Sequence, residues 1–396
     1  MSDLDVETFV ERQVQAIRET LGEGRALVAV SGGVDSTVSA VLTYRAIGNN
    51  LVCVFIDDNF MRLHEPKRVK STLSASPLNL PVNVLNERER FMEALEGLED
   101  AEEKRKAFRE TFYQTLSDAA KAEGSRYLVQ GTIKADIDET AGGIKTQHNI
   151  LEQIGIDPVE RFGYKVVEPI ASLYKYQVRE VARFLGVPNE FSERQPFPGP
   201  GLSVRVVGLL TEEKLEDVKV ATEIVERRFA QFNPAQYFAA IMSGETEKAP
   251  SELKKLVAKA LSLEESRIEI CYLKEHATGM IEGKRTYGRV AVVGIRMGSG
   301  EAGTLGYGEL EIMRKTIQKP ELGVSRVLYE VVGNGEKGCY ISMRAVDTQD
   351  FLTAKVFEIP WETLEVTAEE ILRTCIRVSK VYYDVTPKPP ATVEFE

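Results

Sequence analysis

A hexapeptide near the start of the chain, SGGVDS at residues 31–36, has the residue types of an anion-binding loop. Its glycines let the backbone approach a phosphate closely, and the free N–H groups at the start of a following helix point at such an anion. The serines add hydroxyl donors, and the aspartate can hold a divalent metal ion against the phosphate charge. No lysine follows at the Walker A spacing, which excludes the usual NTPase loop. We predict a phosphate site made of Ser31, Gly32, Gly33, Val34, Asp35 and Ser36, with Asp35 as the metal ligand.

The segments around the hexapeptide must position it. Residues 25–30 are apolar and β-prone, as in a buried strand, and residues 37–47 carry apolar side chains at helical spacing. A second apolar run, 51–57, ends in Asp57. In doubly wound sheets ligands bind beyond the carboxyl ends of the strands, so Asp57 is predicted to face the same ligand. The alternative for Asp57, a cap of a helix or turn, stays open.

Strand and helix patterns alternate as far as about residue 190. This alternation predicts an α/β domain with a doubly wound parallel sheet. A loop at 194–202, RQPFPGPGL, follows it, and its prolines and glycines predict a stiff, preformed segment, with a simple interdomain hinge as the alternative. We divide the chain into the α/β domain (1–200), linker helices with a charged insertion (201–277) and an α+β C-terminal region (278–396).

The C-terminal region contains a faint internal duplication. GVSRVLYEV at 323–331 parallels RVSKVYYDV at 377–385, and GRVAVVGIR at 288–296 corresponds to GCYISMR at 338–344. A helical stretch separates the members of each copy, so each copy reads strand–helix–strand and two copies could build one continuous sheet. The alternative is two unrelated strands of similar composition. The tandem units would be 278–332 and 333–396.

Composition excludes several classes of protein. The chain has 396 residues, enough for two or three domains, and is 43% hydrophobic and 28% charged, as in soluble globular proteins. It has no run of ~18 apolar residues and no basic signal segment, so we expect a cytoplasmic protein without a membrane partner. A net charge of −11 argues against nucleic-acid binding.

The chain has four cysteines, Cys53, Cys271, Cys339 and Cys375, and no two of them form a CxxC pair. This spacing argues against a zinc site and against a disulfide framework.

Several motifs together resemble the GMP synthetases, which belong to the N-type ATP pyrophosphatases. The motifs are SGGVDS, QGT followed by Asp136, IKTQHN at 144–149, RQPFPGPGL and KPPATVEFE at 388–396, in the family's order and near its spacing. The resemblance covers residues from about 5 to 242 and from about 278 to 396. It implies an adenine nucleotide alpha hydrolase-like fold. The implied reaction uses ATP and Mg²⁺ to adenylate xanthosine monophosphate (XMP), after which ammonia displaces AMP to give GMP.

The resemblance also implies roles for single residues. Asp35 and Lys145 would be catalytic and would hold the departing pyrophosphate, Asp35 through the metal ion. The remaining ATP-binding positions would be Asp57, Gly131, Thr132 and Asp136, beside the hexapeptide. The positions that bind the substrate nucleotide would be Arg194, Pro198, Gly199, Gln236, Lys388, Val393 and Glu394.

Longer members of this family carry an N-terminal glutaminase. The hexapeptide begins here at residue 31, which leaves no room for one, so we expect ammonia from a separate glutaminase subunit or from solution. Shorter relatives pair one C-terminal unit with its copy on a second subunit. If this chain carries two units in tandem, the contact is satisfied within one polypeptide, and we expect a monomer or at most a weak homodimer.

Four departures from the family pattern leave the acceptor open. Gln147 and Gln195 stand where histidine is usual, Phe395 where tryptophan is usual, and Asp58-Asn59 replaces Thr-Gly or Asn-Gly. One alternative is a paralogous ATP pyrophosphatase that adenylates a different acceptor for amidation. The other is a non-catalytic, nucleotide-binding regulator, which the intact hexapeptide disfavours.

Overall fold

The computed structural model describes residues 4–141, 159, 163–281, 284–296, 303–349 and 352–396. The chain forms two compact units. The first consists of Met1–Ala94 and Lys106–Gly199, and the second of Leu95–Arg105 and Pro200–Glu396. None of the helices in the described ranges combines the length and the apolar character needed to cross a bilayer.

The first unit is built on a five-stranded parallel sheet in the order β3-β2-β1-β4-β5. The order reverses at β1, because β2 and β3 lie on one side of it and β4 and β5 on the other. The loops that follow β1 and β4 therefore flank the switch point, where doubly wound sheets bind ligands. In chain order the elements up to Ser192 are α1 (Val6–Leu21), β1 (Ala26–Ala29), α2 (Val34–Ile47), β2 (Leu51–Asp57), α3 (Glu65–Leu73), β3 (Val82–Asn86), α4 (Arg88–Leu95), α5 (Ala101–Ala122), β4 (Tyr127–Val129), α6 (Lys134–Ala141), β5 (Lys165–Val167), α7 (Lys175–Leu185) and α8 (Asn189–Ser192).

The core of this unit explains the apolar runs in the sequence of its strands and helices. All seven residues of β2 are buried, as expected for an apolar strand of a parallel sheet with both faces covered. Helix α2 packs on α1 and α7, and Val38, Ala40 and Leu42 have no exposed surface. This arrangement confirms the predicted doubly wound α/β fold and fixes the start of α2, where the hexapeptide lies.

The second unit is built on an eight-stranded mixed sheet in the order β12-β11-β13-β10-β9-β8-β7, with β6 paired antiparallel to β11. Helices accompany the sheet, which confirms an α+β C-terminal region. The elements are α9 (Glu212–Phe229), β6 (Gln236–Met242), β7 (Thr246–Lys248), α10 (Ser251–Leu261), β8 (Ile268–Ile281), β9 (Lys284–Ile295), α11 (Tyr307–Ile317), β10 (Val324–Gly333), β11 (Cys339–Asp347), β12 (Lys355–Val356), α12 (Trp361–Thr374) and β13 (Val378–Asp384).

The segment 201–277, which we predicted as linker helices and an insertion, contributes three strands to this sheet. Strand β6 pairs with β11 through residues about 100 positions later, from Tyr340↔Met242 to Val346↔Gln236. Strands β7 and β8 extend the sheet beyond β9. The segment therefore belongs to the second unit. A pattern within the segment could not reveal pairings that distant residues create.

Two strand–helix–strand units lie side by side in the sheet. Strands β9 and β10 are parallel and joined through α11, and β11 and β13 are parallel and joined through α12. Strands β10 and β13 meet antiparallel at the centre. Tyr329 and Tyr383, which occupy equivalent positions in the two sequence copies, lie directly opposite each other, as a local twofold axis requires. Duplication of one ancestral unit stays a prediction.

Candidate active site

The hexapeptide connects β1 to the first turn of α2. Gly33 is the residue before the helix, and Gly32 has φ +76°, the left-handed region that glycine adopts without strain. The serine side chains brace the loop: Ser36 Oγ accepts from the Ser31 N–H at 3.2 Å and lies 3.1 Å from Ser31 Oγ. The first N–H groups of a helix lack partners within it, so this braced turn presents an anion site.

Asp35 lies in the first turn of α2, and one of its two carboxylate oxygens is already bound. Lys175 Nζ, from the first residue of α7, donates to Asp35 Oδ2 at 2.5 Å. Asp35 Oδ1 is buried and lacks a hydrogen-bond partner among the described residues. A single carboxylate oxygen beside the N–H groups of a helix start suits Mg²⁺, which proteins commonly hold through one or two carboxylates together with substrate phosphates.

The loop after β4 packs against the same helix start. A Cβ at Gly131 would lie 2.8 Å from Asp35 C and from Ser36 N, so only glycine allows this approach. The next side chains have partners within the unit. Thr132 Oγ1 donates to Glu168 Oε1 at 2.6 Å, and Asp136 Oδ2 accepts the Ile133 N–H at 3.0 Å. The structure thus brings Gly131 to the hexapeptide, and ATP binding by Thr132 and Asp136 stays a prediction.

Asp57 lies at the carboxyl end of β2, the edge of the sheet that carries the hexapeptide. It is almost fully buried, and its Oδ2 accepts from Arg88 Nε at 2.9 Å. Its Oδ1 accepts the Asn59 N–H at 3.4 Å, the turn-capping contact that was the alternative interpretation. The position agrees with either role, and ATP binding by Asp57 stays a prediction.

Arg194, predicted to bind the substrate nucleotide, lies beside the hexapeptide. Both of its terminal nitrogens contact the carboxylate of Glu65, with Nη2 to Oε2 at 2.7 Å. Glu65 begins α3 and is nearly fully buried. A Cβ at Gly32 would lie 3.0 Å from Glu65 Oε1 and 3.3 Å from Arg194 Nη1. The pair therefore packs directly on the hexapeptide. Pro198 is half-buried and Gly199 exposed on the proline-rich loop that follows.

A second polar cluster lies in the second unit and joins two of the predicted residues. Glu394 Oε1 accepts from Gln236 Nε2 at 2.8 Å, and Arg205 binds both carboxylate oxygens at 2.9 Å. Burial raises the pKa of Glu394, but the charge and hydrogen bonds of Arg205, with the charges of Arg105 and Arg326, outweigh burial and lower the pKa. Glu394 is therefore held as a carboxylate, able to accept hydrogen bonds.

The other predicted residues of this unit have different surroundings. Lys388 exchanges backbone hydrogen bonds with Ala354 at 2.8 and 2.9 Å, which fixes its main chain. Val393 is buried in an apolar cluster that also contains Phe395. A packing role for Val393 is thus evident, and a contact with the nucleotide stays a prediction. Lys145 and Gln147 lie outside the described residues.

The described residues hold no group of three or more histidine, cysteine, aspartate or glutamate side chains arranged to bind a metal ion. The four cysteines are free thiols. Burial raises the pKa values of Cys53 and Cys375 to about 12, so both stay protonated and unreactive at neutral pH. Within this part of the chain, Asp35 stays the predicted ligand of a divalent ion.

Sequence reasoning missed Lys175, Glu65 and Arg205. Lys175 and Glu65 meet their partners across 140 and 129 residues, so no local spacing could identify them. A signal existed for Arg205, because an arginine stands alone in an apolar run, GLSVRVVGLL, where burial demands a charged partner. Lys175 also had a weaker signal: it begins the helix that follows the last strand, at the edge where ligands bind.

Comparison with known proteins shows the family to which this chain belongs. Residues 6–188 match the family described as the PP-loop domain, and residues 331–395 match the GMP synthase C terminal domain. Three proteins, each named as one subunit of a glutamine-hydrolysing GMP synthase, are similar over 99% of this chain. That of Sulfurisphaera tokodaii is 43% identical and 99% covered, that of Saccharolobus solfataricus is 42% identical and 100% covered, and that of Methanopyrus kandleri is 38% identical and 99% covered. The resemblance seen in the motifs is confirmed: the chain belongs to the family of these GMP synthase subunits, which unite a PP-loop domain with the GMP synthase C terminal domain.

Proposed function

We propose that this chain catalyses the ATP-dependent amination of XMP to GMP through an adenylated intermediate, releasing AMP and pyrophosphate. The family membership assigns it to ATP-dependent ligases. The observation that carries the chemistry is the environment of Asp35, whose free carboxylate oxygen, lysine partner and helix N-terminus converge at the switch point of the parallel sheet. That combination suits a triphosphate better than a neutral ligand.

Adenylation is an in-line displacement at the α-phosphate. The C2 oxygen of XMP forms a bond to phosphorus, and the bond to the leaving pyrophosphate breaks. Positioning and charge neutralisation supply most of the catalysis in such a reaction. The N–H groups at the start of α2 would bind the pyrophosphate oxygens, and the Lys175 ammonium would neutralise part of their charge. Bound Mg²⁺, held by Asp35, would supply Lewis-acid stabilisation of the same oxygens.

Amination completes the reaction. Ammonia attacks C2 of the adenylated nucleotide, the C2–O bond breaks so that AMP leaves with the oxygen that XMP contributed, and the new amino group releases one proton to solvent. For nucleotide recognition we propose the Glu394 carboxylate as an acceptor for purine N–H groups, because Arg205 and Gln236 hold it ionised and oriented. The Lys388 ammonium suits the phosphate of the nucleotide. Roles for Arg194, Pro198, Gly199 and Val393 are proposed from the family resemblance.

The relatives are each named as one subunit of a glutamine-hydrolysing enzyme. We therefore propose that a separate glutaminase subunit supplies ammonia to this chain. We further propose a monomer or weak homodimer, and a cytoplasmic location, where ATP and nucleoside monophosphates are available.

The test combines the purified chain with ATP, Mg²⁺, ammonium and XMP, and measures AMP and GMP together. We expect both products in equal amounts with ammonium salts, and neither with glutamine until a glutaminase subunit is added. AMP release only with another acceptor would overturn the choice of XMP. Tight ATP binding without any turnover would overturn the assignment as an enzyme. Efficient use of glutamine by the chain alone would overturn the separate ammonia source.

A further inference from the structure

Two buried ion clusters occupy equivalent places in the two strand–helix–strand units. In one, which we call the tail clamp, Asp384 Oδ2 accepts from Arg326 Nη1 at 2.7 Å and from Arg344 Nη1 at 2.6 Å. In the other, the counterpart cluster, the carboxylate of Glu330 binds Arg296 and Lys380. Its closest contacts are 2.6 Å to Arg296 Nη1 and 2.8 Å to Lys380 Nζ.

The sequence duplication explains why the two clusters are alike. Alignment of the two copies places Arg326 at the position of Lys380, Glu330 at that of Asp384, and Arg296 at that of Arg344. Each carboxylate therefore receives one cation from its own copy and one from the other copy. The antiparallel pairing of β10 with β13 creates this exchange.

Of these two clusters, the tail clamp is the one that contacts the end of the chain, which other residues such as Arg205 and Ala354 also hold. Arg344 Nη1 donates to Thr386 O at 2.9 Å, and Arg326 Nη2 donates to Thr392 O at 2.8 Å and also contacts Glu394 O. The counterpart cluster instead contacts the neighbouring strand, where Arg296 Nη2 donates to a Glu269 oxygen at 2.7 Å. We call residues 386–396 the tail; it carries Lys388 and Glu394.

The charges explain why the clamp and the tail depend on each other. The side chains of Arg326, Arg344 and Asp384 have no exposed surface, and together they carry one surplus positive charge, which the Glu394 carboxylate of the tail offsets in part. A buried surplus charge is costly unless polar groups solvate it, and the carbonyl oxygens of the tail do so here. In the counterpart cluster, Glu330 and Glu269 balance Arg296 and Lys380, so no further acceptor is required.

We infer that Arg326, Asp384 and Arg344 are positioning residues that hold the tail in the conformation in which Glu394 and Lys388 bind the substrate nucleotide. Arg326 comes from the first tandem unit, so that unit acts on the site through the tail of the second. The inference rests on the proposed function for the identity of the nucleotide, and on the contacts above for the fixing of the tail.

The test uses a matched pair of substitutions, Asp384→Asn and Glu330→Gln. In each substitution, an amide takes the place of a buried carboxylate that binds two cationic side chains. Both substitutions should therefore lower thermal stability. We expect Asp384→Asn to raise the KM for XMP by about tenfold or more, since small displacements of binding groups have effects of this size, and to leave the KM for ATP unchanged. Glu330→Gln should leave both KM values unchanged. Hydrogen exchange of residues 386–396 should accelerate in Asp384→Asn alone.

A second matched pair of substitutions tests the inference if the Asp384→Asn variant does not fold. Arg344→Lys keeps the charge next to Asp384 but cannot reproduce the forked donors to the tail, and Arg296→Lys is its control. Equal KM values for XMP and equal tail exchange in Arg344→Lys and Arg296→Lys would overturn the inference. If the wild-type chain does not aminate XMP, the proposed function fails, while the tail exchange still decides the clamp. Faster hydrogen exchange of the tail in both members of a pair would show that the clamp only stabilises the unit as a whole. That result would also overturn the inference.

Discussion

At the scale of single residues, the candidate site contains a charged pair that adds little to the stability of the fold. Asp35 and Lys175 form a partly exposed pair, with side-chain exposures of 27% and 46%. Such pairs contribute little to folding, because water screens their attraction. Under the proposed function, Asp35 can therefore exchange this partner for a metal ion, and Lys175 for a phosphate, at small cost to the fold.

Replacement of Asp35 by asparagine should therefore separate catalysis from stability. Asp35→Asn removes charge where charge develops in the reaction, so AMP release should fall by roughly two to four orders of magnitude while the melting temperature stays within a few degrees. Steady-state AMP release at saturating Mg²⁺ measures the first effect and calorimetry the second. Asp118→Asn, which breaks the exposed pair with Arg90, is the control. Near wild-type AMP release from Asp35→Asn would refute the role.

The Lys175 ammonium should matter for the phosphates of ATP. Lys175→Gln keeps a hydrogen-bond donor but removes the positive charge, so kcat/KM for ATP should fall about 10- to 1,000-fold. The control is Lys274→Gln, which breaks another exposed lysine–carboxylate pair, that with Glu245 at 2.7 Å. Kinetics for ATP at saturating ammonium and XMP make the measurement. Equal values for the two variants would show that Lys175 only pairs with Asp35.

At the scale of helices and strands, the sheet of the second unit is joined through charged groups that span its strands. Glu330 on β10 binds Arg296 beyond β9 and Lys380 on β13. Burial raises the pKa of Glu330, but the hydrogen bonds and charges of Arg296 and Lys380 outweigh burial, and the net pKa lies below the ordinary value of 4.5. The ionised carboxylate therefore stabilises the folded sheet.

This lowered pKa predicts a dependence of stability on pH. Because the unfolded chain binds the proton more readily, the contribution of Glu330 is complete above pH 4.5 and is lost as the pH falls through the lower pKa of the folded state. Glu330→Gln should be less stable than the wild type at pH 7, and the difference should shrink below pH 4.5. Urea unfolding at several pH values measures this, with Glu336→Gln, an exposed glutamate, as the control. A difference that stays constant with pH would contradict the prediction.

The elements also show how far local sequence reasoning extends. Strands β1 and β2 and helix α2 were predictable, because burial on both sides of a parallel sheet requires continuous apolar runs. Strand β6 was assigned to a linker, because its place depends on β11, which follows about 100 residues later. The hexapeptide could be singled out from six adjacent residues, whereas the contacts of Glu65 and Lys175 involve distant partners.

At the scale of the whole molecule, the pairing of β10 with β13 within one chain determines the expected assembly. This antiparallel contact between equivalent strands has the form of an isologous dimer interface, yet both strands belong to the same polypeptide. We expect the chain to be a monomer, or at most a weak dimer, at micromolar concentration. Light scattering tests this. A tight dimer whose interface is built from residues 278–332 or 333–396 would contradict it.

The tethering of β10 to β13 also has a consequence for how the enzyme responds to dilution. Two halves joined by covalent linkage meet at an effective concentration that the amount of protein in solution does not change. A site that needs two separate subunits loses activity once the concentration falls below their dissociation constant. With ammonium as the nitrogen source, the activity per mole of this chain should therefore stay constant as the enzyme is diluted from micromolar to nanomolar concentration.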